Sequence, residues 1–234
     1  MVWNTAQYDR FSSPRLRPAL ELLDRIEIDD PRLVYDLGCG TGEITVLLAE
    51  HYRAARVVGL DSSEDMLEEA RKRDDTAFWE EADIAGWKPP TPVDLIYSNA
   101  ALQWLGDHET LFPWLLSELE SGGENEAALG SELLRSELAR PWVLDSSDYY
   151  RILAPHASAV DVWTTEYLHL LEGEEPVFEW VKGTGLRPIL NRLDAAELEQ
   201  FVERYRAGLQ ELYPRQEDGT TLYPFRRLFL VARR

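Results

Sequence analysis

Val34-Tyr35-Asp36-Leu37-Gly38-Cys39-Gly40-Thr41-Gly42 decides the fold. An apolar run over 32–37 ends in three alternating glycines, and helical spacing resumes over 43–51. Glycines after a buried strand let the backbone turn tightly and approach a ligand with no Cβ in the way. The plainer reading, an ordinary strand–helix turn, has no need of three of them. A Walker loop is excluded because no Gly-Lys-Ser/Thr follows. A dinucleotide fingerprint needs a small residue at position 43, where Glu43 stands. What remains is G-x-G-x-G preceded by an acid, Asp36.

Working outward, the pattern alternates. Leu16, Leu20, Leu23 and Ile26 give residues 14–27 a helical stripe, broken by Asp29, Asp30 and Pro31. Residues 56–60 form a second buried strand closed by Asp61, and Ser62 with Asp65 resembles a capping box for a helix over 63–73. A third strand over 76–83 ends in Asp83. A fourth, over 93–99, ends in Asn99, and a helix over 108–120 stops at Gly122 and Gly123. Strand–helix alternation with short links predicts an α/β fold, a doubly wound and mostly parallel sheet. Ligands of such sheets sit outside the carboxyl ends of the strands. Asp36, the glycines, Asp61, Asp83 and Asn99 all fall at those ends.

Composition narrows the function. The 234 residues carry 24 Lys and Arg against 43 Asp and Glu, a net charge of −19. Nucleic-acid backbones and anionic membranes call for clustered positive charge, so neither is an expected partner. Eight Trp and a 44% apolar fraction supply a core, so the acidity does not signal disorder. The single Cys39 excludes a disulfide framework, and His51, His108, His156 and His169 show no ligand spacing, so no metal is assigned. No apolar run approaches the roughly 18 residues of a membrane span. The N-terminus has no signal-peptide core, and the chain reads as a soluble cytoplasmic protein.

The glycine turn with its acid resembles motif I of the class I S-adenosylmethionine-dependent methyltransferases. The resemblance implies a Rossmann-like fold with S-adenosyl-L-methionine as cofactor and S-adenosyl-L-homocysteine as product. It implies cofactor contacts from Asp36, Gly38, Gly40 and Gly42, and from Asp61 with Ser62 on the ribose diol. Asp83 and Ile84 would hold the adenine, and Asn99 would lie near the amino-acid end. Plainer readings stand beside these: Asp61 as a helix cap, Asp83 as a turn cap and Asn99 as a turn residue. A ribose diol is common to NAD, so Asp61 alone does not separate the two cofactors. An NAD-dependent oxidoreductase is weakened by Glu43 and by the lack of a catalytic His/Tyr/Lys set.

Further segments resemble the trans-aconitate 2-methyltransferase family. They are Trp3-Asn4 with Tyr8, Phe11, Arg15 and Arg17-Pro18; then Asn99-Ala100-Ala101-Leu102-Gln103-Trp104; then Asp148-Tyr149-Tyr150 and residues 179–188, EWVKGTGLRP; and last Pro224-Phe225 with Arg227-Leu228-Phe229. The resemblance implies methylation of a carboxylate of trans-aconitate or a close small polycarboxylate, giving a monomethyl ester. A carboxylate with a pKa near 4 is ionised at neutral pH and needs no general base. Placement and charge neutralisation suffice. Arg15, Arg17, Lys182 and Arg187 are the candidate anion binders, with Tyr8, Trp104 and Tyr149 shaping the pocket. Arg15 and Arg17 could equally be a solvated helix face, Lys182 and Arg187 caps on turn carbonyls, and Tyr8 a core plug.

The family organisation implies an N-terminal arm and helix over 1–30 and a cofactor-binding core over 31–123. Linker helices and a late strand would follow over 124–171, a helical substrate lid over 172–223, and a final strand over 224–234. One departure stands out. After Gly123 a fifth apolar strand is due, yet Glu124-Asn125-Glu126-Ala127-Ala128-Leu129-Gly130-Ser131-Glu132 has poor strand propensity and reads as a helix start. The fifth strand is therefore expected to be absent. A true deletion is one explanation; residues missing between Gly123 and Glu124 are the other, to be betrayed by a Cα separation well above about 3.8 Å. Two alternatives stay open: a methyltransferase for a different small acceptor, or a cofactor-binding protein inactivated by losing that strand.

Overall fold

The structure is a computed structural model that describes residues 16–73, 76–120, 126–133, 143–182, 186 and 193–234. Two compact units divide the chain: Met1–Thr165 with Arg227–Arg234, and Glu166–Arg226. No helix among the described residues is long and apolar enough to cross a membrane.

In the first unit the order is α1 (Arg17–Leu23), β1 (Leu33–Leu37), α2 (Glu43–His51), β2 (Arg56–Asp61), α3 (Glu64–Arg73) and β3 (Phe78–Glu81). Then come β4 (Leu95–Asn99), α4 (His108–Ser117), β5 (Glu126–Leu133), α5 (Ser146–Leu153) and the start of β6 (Ala159–Leu171). The last strand, β7 (Thr221–Arg233), returns to this unit. Strand order across the sheet is β3-β2-β1-β4-β5-β7-β6. β1 pairs in parallel with β2 on one side and β4 on the other, Asp36 facing Gly59 and Tyr97. β1, β2 and β4 are buried nearly throughout, which is why they read as apolar runs and not as alternation. The chain winds one way from β1 to β3 and the other from β4 onward. The switch point between β1 and β4 is where an open α/β sheet leaves a crevice.

Side chains fix the helices to this frame. Tyr97 Oη donates to the Ala19 carbonyl over 2.9 Å, pinning α1 to β4. α3 is capped by Ser63, whose Oγ accepts from Met66 N, so the cap lies one residue beyond the Ser62 predicted. α1 ends at Leu23, short of the predicted 27, as Arg25 N and Ile26 N tighten onto the carbonyls of Leu22 and Leu23.

The expectation of a missing fifth strand is overturned. β5 is present and pairs in parallel with β4, Ile96 opposite Ala127 and Asn99 opposite Gly130. Propensity pointed to a helix because Ala and Glu favour one. Position decides instead: β5 has a neighbour on each side, β4 and β7, so its backbone groups are bonded in the sheet interior. Ala127 and Ala128 are buried, and α1 packs across this strand. The ground for an inactivated protein goes with the correction. Gly123 and Glu124, whose spacing was to test for missing residues, lie outside the described residues.

The second unit holds the far ends of β6 and β7 with α6 (Pro176–Lys182) and α7 (Ala195–Leu212). Asp194 and Glu197 cap α7 reciprocally: Asp194 Oδ1 accepts from Glu197 N, and Glu197 Oε2 accepts from Asp194 N. Its core is aromatic, with His169 against Trp180 at 4.7 Å and Phe225 at 5.6 Å between ring centres.

Candidate active site

The glycine turn follows β1 directly. Gly38, Gly40 and Gly42 all have positive φ, +75°, +56° and +77°. Two of them also meet a close neighbour. A Cβ on Gly38 would stand 2.2 Å from the Cβ of Ala101, on the segment leaving β4. A Cβ on Gly42 would stand 2.4 Å from the six-membered ring of Trp79, and one on Gly59 of β2 would stand 2.6 Å from the same ring. Gly40 faces open space, so only its backbone conformation asks for glycine.

Asp61 closes β2 and ties the turn to it. Its Oδ2 accepts from Gly40 N at 2.8 Å and its Oδ1 from Ser63 N at 2.9 Å. Each oxygen keeps a further lone pair, so the capping role and a ligand role coexist. Asp83 Oδ1 accepts from Ala85 N at 2.9 Å and opens a short 3₁₀ turn, Ile84–Gly86.

These groups meet around one cavity of about 290 Å3. Gly38, Asp61, Ser62, Asp83 and Ile84 line one part of it, and Ala100, Ala101, Trp104 and Leu105 another. Six of the predicted residues therefore line one cavity: Gly38, Asp61, Ser62, Asp83, Ile84 and Trp104. Trp104 is 43% exposed and stands in a 3₁₀ turn, Leu102–Trp104. Asn99 ends β4 just before this segment, and its Oδ1 is buried with no hydrogen-bond partner. An orphaned buried acceptor costs about 1–3 kcal/mol, and Asn99 itself is not among the residues that line the cavity.

Asp36 does not line the cavity. It is 2% exposed and accepts from Thr45 Oγ1 at 2.7 Å, locking the first turn of α2 to the root of the glycine turn. Burial pushes its carboxyl up to about 7; the Thr45 bond opposes the shift and the Asp61 charge adds to it. Burial also pushes the Cys39 thiol well up, so it stays protonated.

Tyr149 leaves the pocket set. It is 1% exposed and its hydroxyl is taken by His108 and by Leu144 N, because the amphipathic α5 turns it into the core. Arg17 is exposed on α1, and Lys182 ends α6 in the second unit, 3.5 Å from Glu179. Tyr8, Arg15 and Arg187 lie outside the described residues.

Sequence reading gave no site role to Ala100, Ala101 and Leu105, which line the cavity, or to Gln103 and His108, which bond carbonyls of the same segment. Ala100 has φ +60°, a conformation that alanine rarely adopts and that no residue pattern announces. Its carbonyl accepts from Gln103 Nε2 at 2.7 Å, while Gln103 Oε1 is buried without a partner.

A methyltransferase-domain family model matches residues 34–123. The trans-aconitate 2-methyltransferase of Pseudomonas aeruginosa strain UCBPP-PA14 is 41% identical over 256 residues, covering 98% of this chain and 93% of that protein. That of Methylobacterium nodulans is 42% identical over 253, covering 99% and 98%. Both alignments are longer than this chain of 234 residues, so the relatives carry segments without a counterpart here. Among solved structures, the YcgJ protein of Bacillus subtilis matches with a TM-score of 0.64 at 12% identity, over 93% of this chain and 97% of that one. Phosphoethanolamine N-methyltransferase 2 of Haemonchus contortus, bound to S-adenosylhomocysteine, matches with a TM-score of 0.58 at 17% identity, over 93% and 52%. These structures share the fold.

Proposed function

The chain belongs to the trans-aconitate 2-methyltransferase family, and from that premise we propose that it methylates a carboxylate of trans-aconitate, using S-adenosyl-L-methionine and releasing S-adenosyl-L-homocysteine. The observation that carries the reading is kinship above 40% identity along nearly the whole length of both chains.

The residues at the strand ends fit the cofactor. Gly38 and Gly40 leave a backbone surface that any Cβ would obstruct or strain. Asp61 has lone pairs for a ribose diol, and Asp83 Oδ2 accepts nothing among the described residues, which suits the adenine amino group. Ile84 N–H has no partner among them either and suits a ring nitrogen. The orphaned Asn99 Oδ1 suits the ammonium at the amino-acid end. Bound there, the cofactor supplies an electrophilic methyl group on a sulfonium.

The chain's own part is to place and to neutralise. The described cavity wall contains no His, Lys or Tyr, and its titratable groups are Asp61 and Asp83. An acceptor that arrives ionised requires no proton removal. Trp104 would orient the substrate, and Arg15, Arg17, Lys182 and Arg187 would hold its other carboxylates. The family resemblance implies that the N-terminal arm and the insertion over 172–223 would form a lid that excludes water, and that Tyr8 would help to shape the pocket.

Mass spectrometry of reactions with trans-aconitate, other tri- and dicarboxylates and phenols tests the reading. A monomethyl ester of trans-aconitate is expected. Turnover of a phenol with none of trans-aconitate would keep the enzyme class and discard the acceptor.

A further inference from the structure

We propose that His108 is a positioning residue for methyl transfer, setting one wall of the cavity through the Leu102 carbonyl. The proposal rests on reading that cavity as the reaction site.

His108 is 4% exposed, and both ring nitrogens are engaged. Nδ1 lies 2.6 Å from Tyr149 Oη, and Nε2 lies 3.0 Å from the Leu102 carbonyl oxygen. A carbonyl only accepts, so Nε2 carries the proton; in the neutral ring Nδ1 then accepts from the Tyr149 hydroxyl. Burial lowers the His108 pKa and favours that neutral form. The Tyr149 oxygen accepts in turn from Leu144 N–H at 3.3 Å. One chain of donors results, running from Leu144 through Tyr149 and His108 to Leu102, in which each bond polarises the next.

The end of that chain is functional ground. Leu102 opens the 3₁₀ turn that carries Trp104 and leads to Leu105, two residues of the cavity wall. A three-residue 3₁₀ turn holds itself poorly. The preceding Ala100 is strained, and such strain persists only where surrounding contacts over-determine it. Gln103 clamps the Ala100 carbonyl, and His108 clamps that of Leu102. Phe112 and Tyr149 flank the imidazole at ring distances of 5.1 and 5.6 Å. An apolar ring would fill that space at no desolvation cost, so what the imidazole adds is direction.

Three variants test this. His108→Phe fills the space and donates nothing. His108→Gln puts an N–H donor the same number of bonds from Cβ as imidazole Nε2. Tyr149→Phe removes the hydroxyl that donates to Nδ1 and holds the ring from its other side. The readouts are kcat and KM for trans-aconitate, the S-adenosylhomocysteine Kd by calorimetry, and thermal unfolding. His108→Phe is expected to lower kcat by about 100-fold, the scale of an ångström of misplacement, with the Kd moved by less than about threefold. His108→Gln should recover most of the loss, and Tyr149→Phe should fall between. A folded His108→Phe with wild-type kcat overturns the proposal, as does a His108→Gln no better than it. If His108→Phe does not fold, wild-type kcat in Tyr149→Phe overturns it. S-adenosylhomocysteine bound as tightly by Asp61→Ala as by wild type would place the fault in the cavity reading itself, and this proposal would fall with it.

Discussion

The Thr45 hydroxyl donates to Asp36 Oδ2 over 2.7 Å, and both side chains are sealed from water at the root of the glycine turn. This pair sets a pH dependence. Burial raises the folded Asp36 pKa to about 7, against a usual carboxylate value near 4. A raised carboxyl contributes stability that is fully present below pH 4 and lost as pH rises through 7. The loss is at most on the order of 4 kcal/mol. Thermal unfolding between pH 4.5 and 7.5 is expected to show this contribution to Tm falling and then levelling above about 7, and Asp36→Asn should remove the fall. A slope unchanged in Asp36→Asn would refute the assignment.

The three glycines of the turn are predicted to fail differently. Gly38→Ala and Gly42→Ala combine a left-handed conformation with contacts far inside van der Waals distance, so neighbours must move. Gly40→Ala carries the conformational cost alone, about 1–2 kcal/mol. Unfolding midpoints should therefore rank Gly40→Ala above the other two. Because Ala101 lines the cavity, Gly38→Ala should also weaken S-adenosylhomocysteine binding by more than tenfold, about 1.4 kcal/mol.

Asn99 offers a trade between stability and binding. Its buried Oδ1 has no partner, so Asn99→Ala removes an unmet acceptor. The free protein is expected to keep or raise its Tm while its affinity for S-adenosylhomocysteine falls. A drop in both would mean that the amide has a structural duty.

Lys182 pairs with Glu179 at an exposed site, where such pairs contribute about 0–1 kcal/mol. Lys182→Ala should therefore leave the Tm nearly unchanged. If Lys182 holds a substrate carboxylate, KM for trans-aconitate rises several-fold with the cofactor Kd constant. Steady-state kinetics beside calorimetry separates the two.

Much of this was legible in the residues. Asp36 through Gly42 announced strand, turn and helix, and α2 runs from Glu43 to His51, the span its spacing predicts. Asp61 and Asp83 fell at predicted strand ends and both line the cavity, whereas Asn99, at a third strand end, does not. What could not be read depends on burial that a one-dimensional pattern does not carry. The family resemblance of Asp148-Tyr149-Tyr150 implied a pocket role for Tyr149, and only the fold shows which way its helix faces. Ala100 has a backbone conformation its identity argues against. β5 is built from residues that favour helices, and its place between two strands overrides them.

That strand has a practical consequence. β5 joins β4 to β7 through Ala127 and Ala128, both buried, in the strand that α1 packs across. Larger side chains there would have to be accommodated by neighbours already in contact. An engineer seeking a hardier catalyst would therefore redesign strand and helix as one unit.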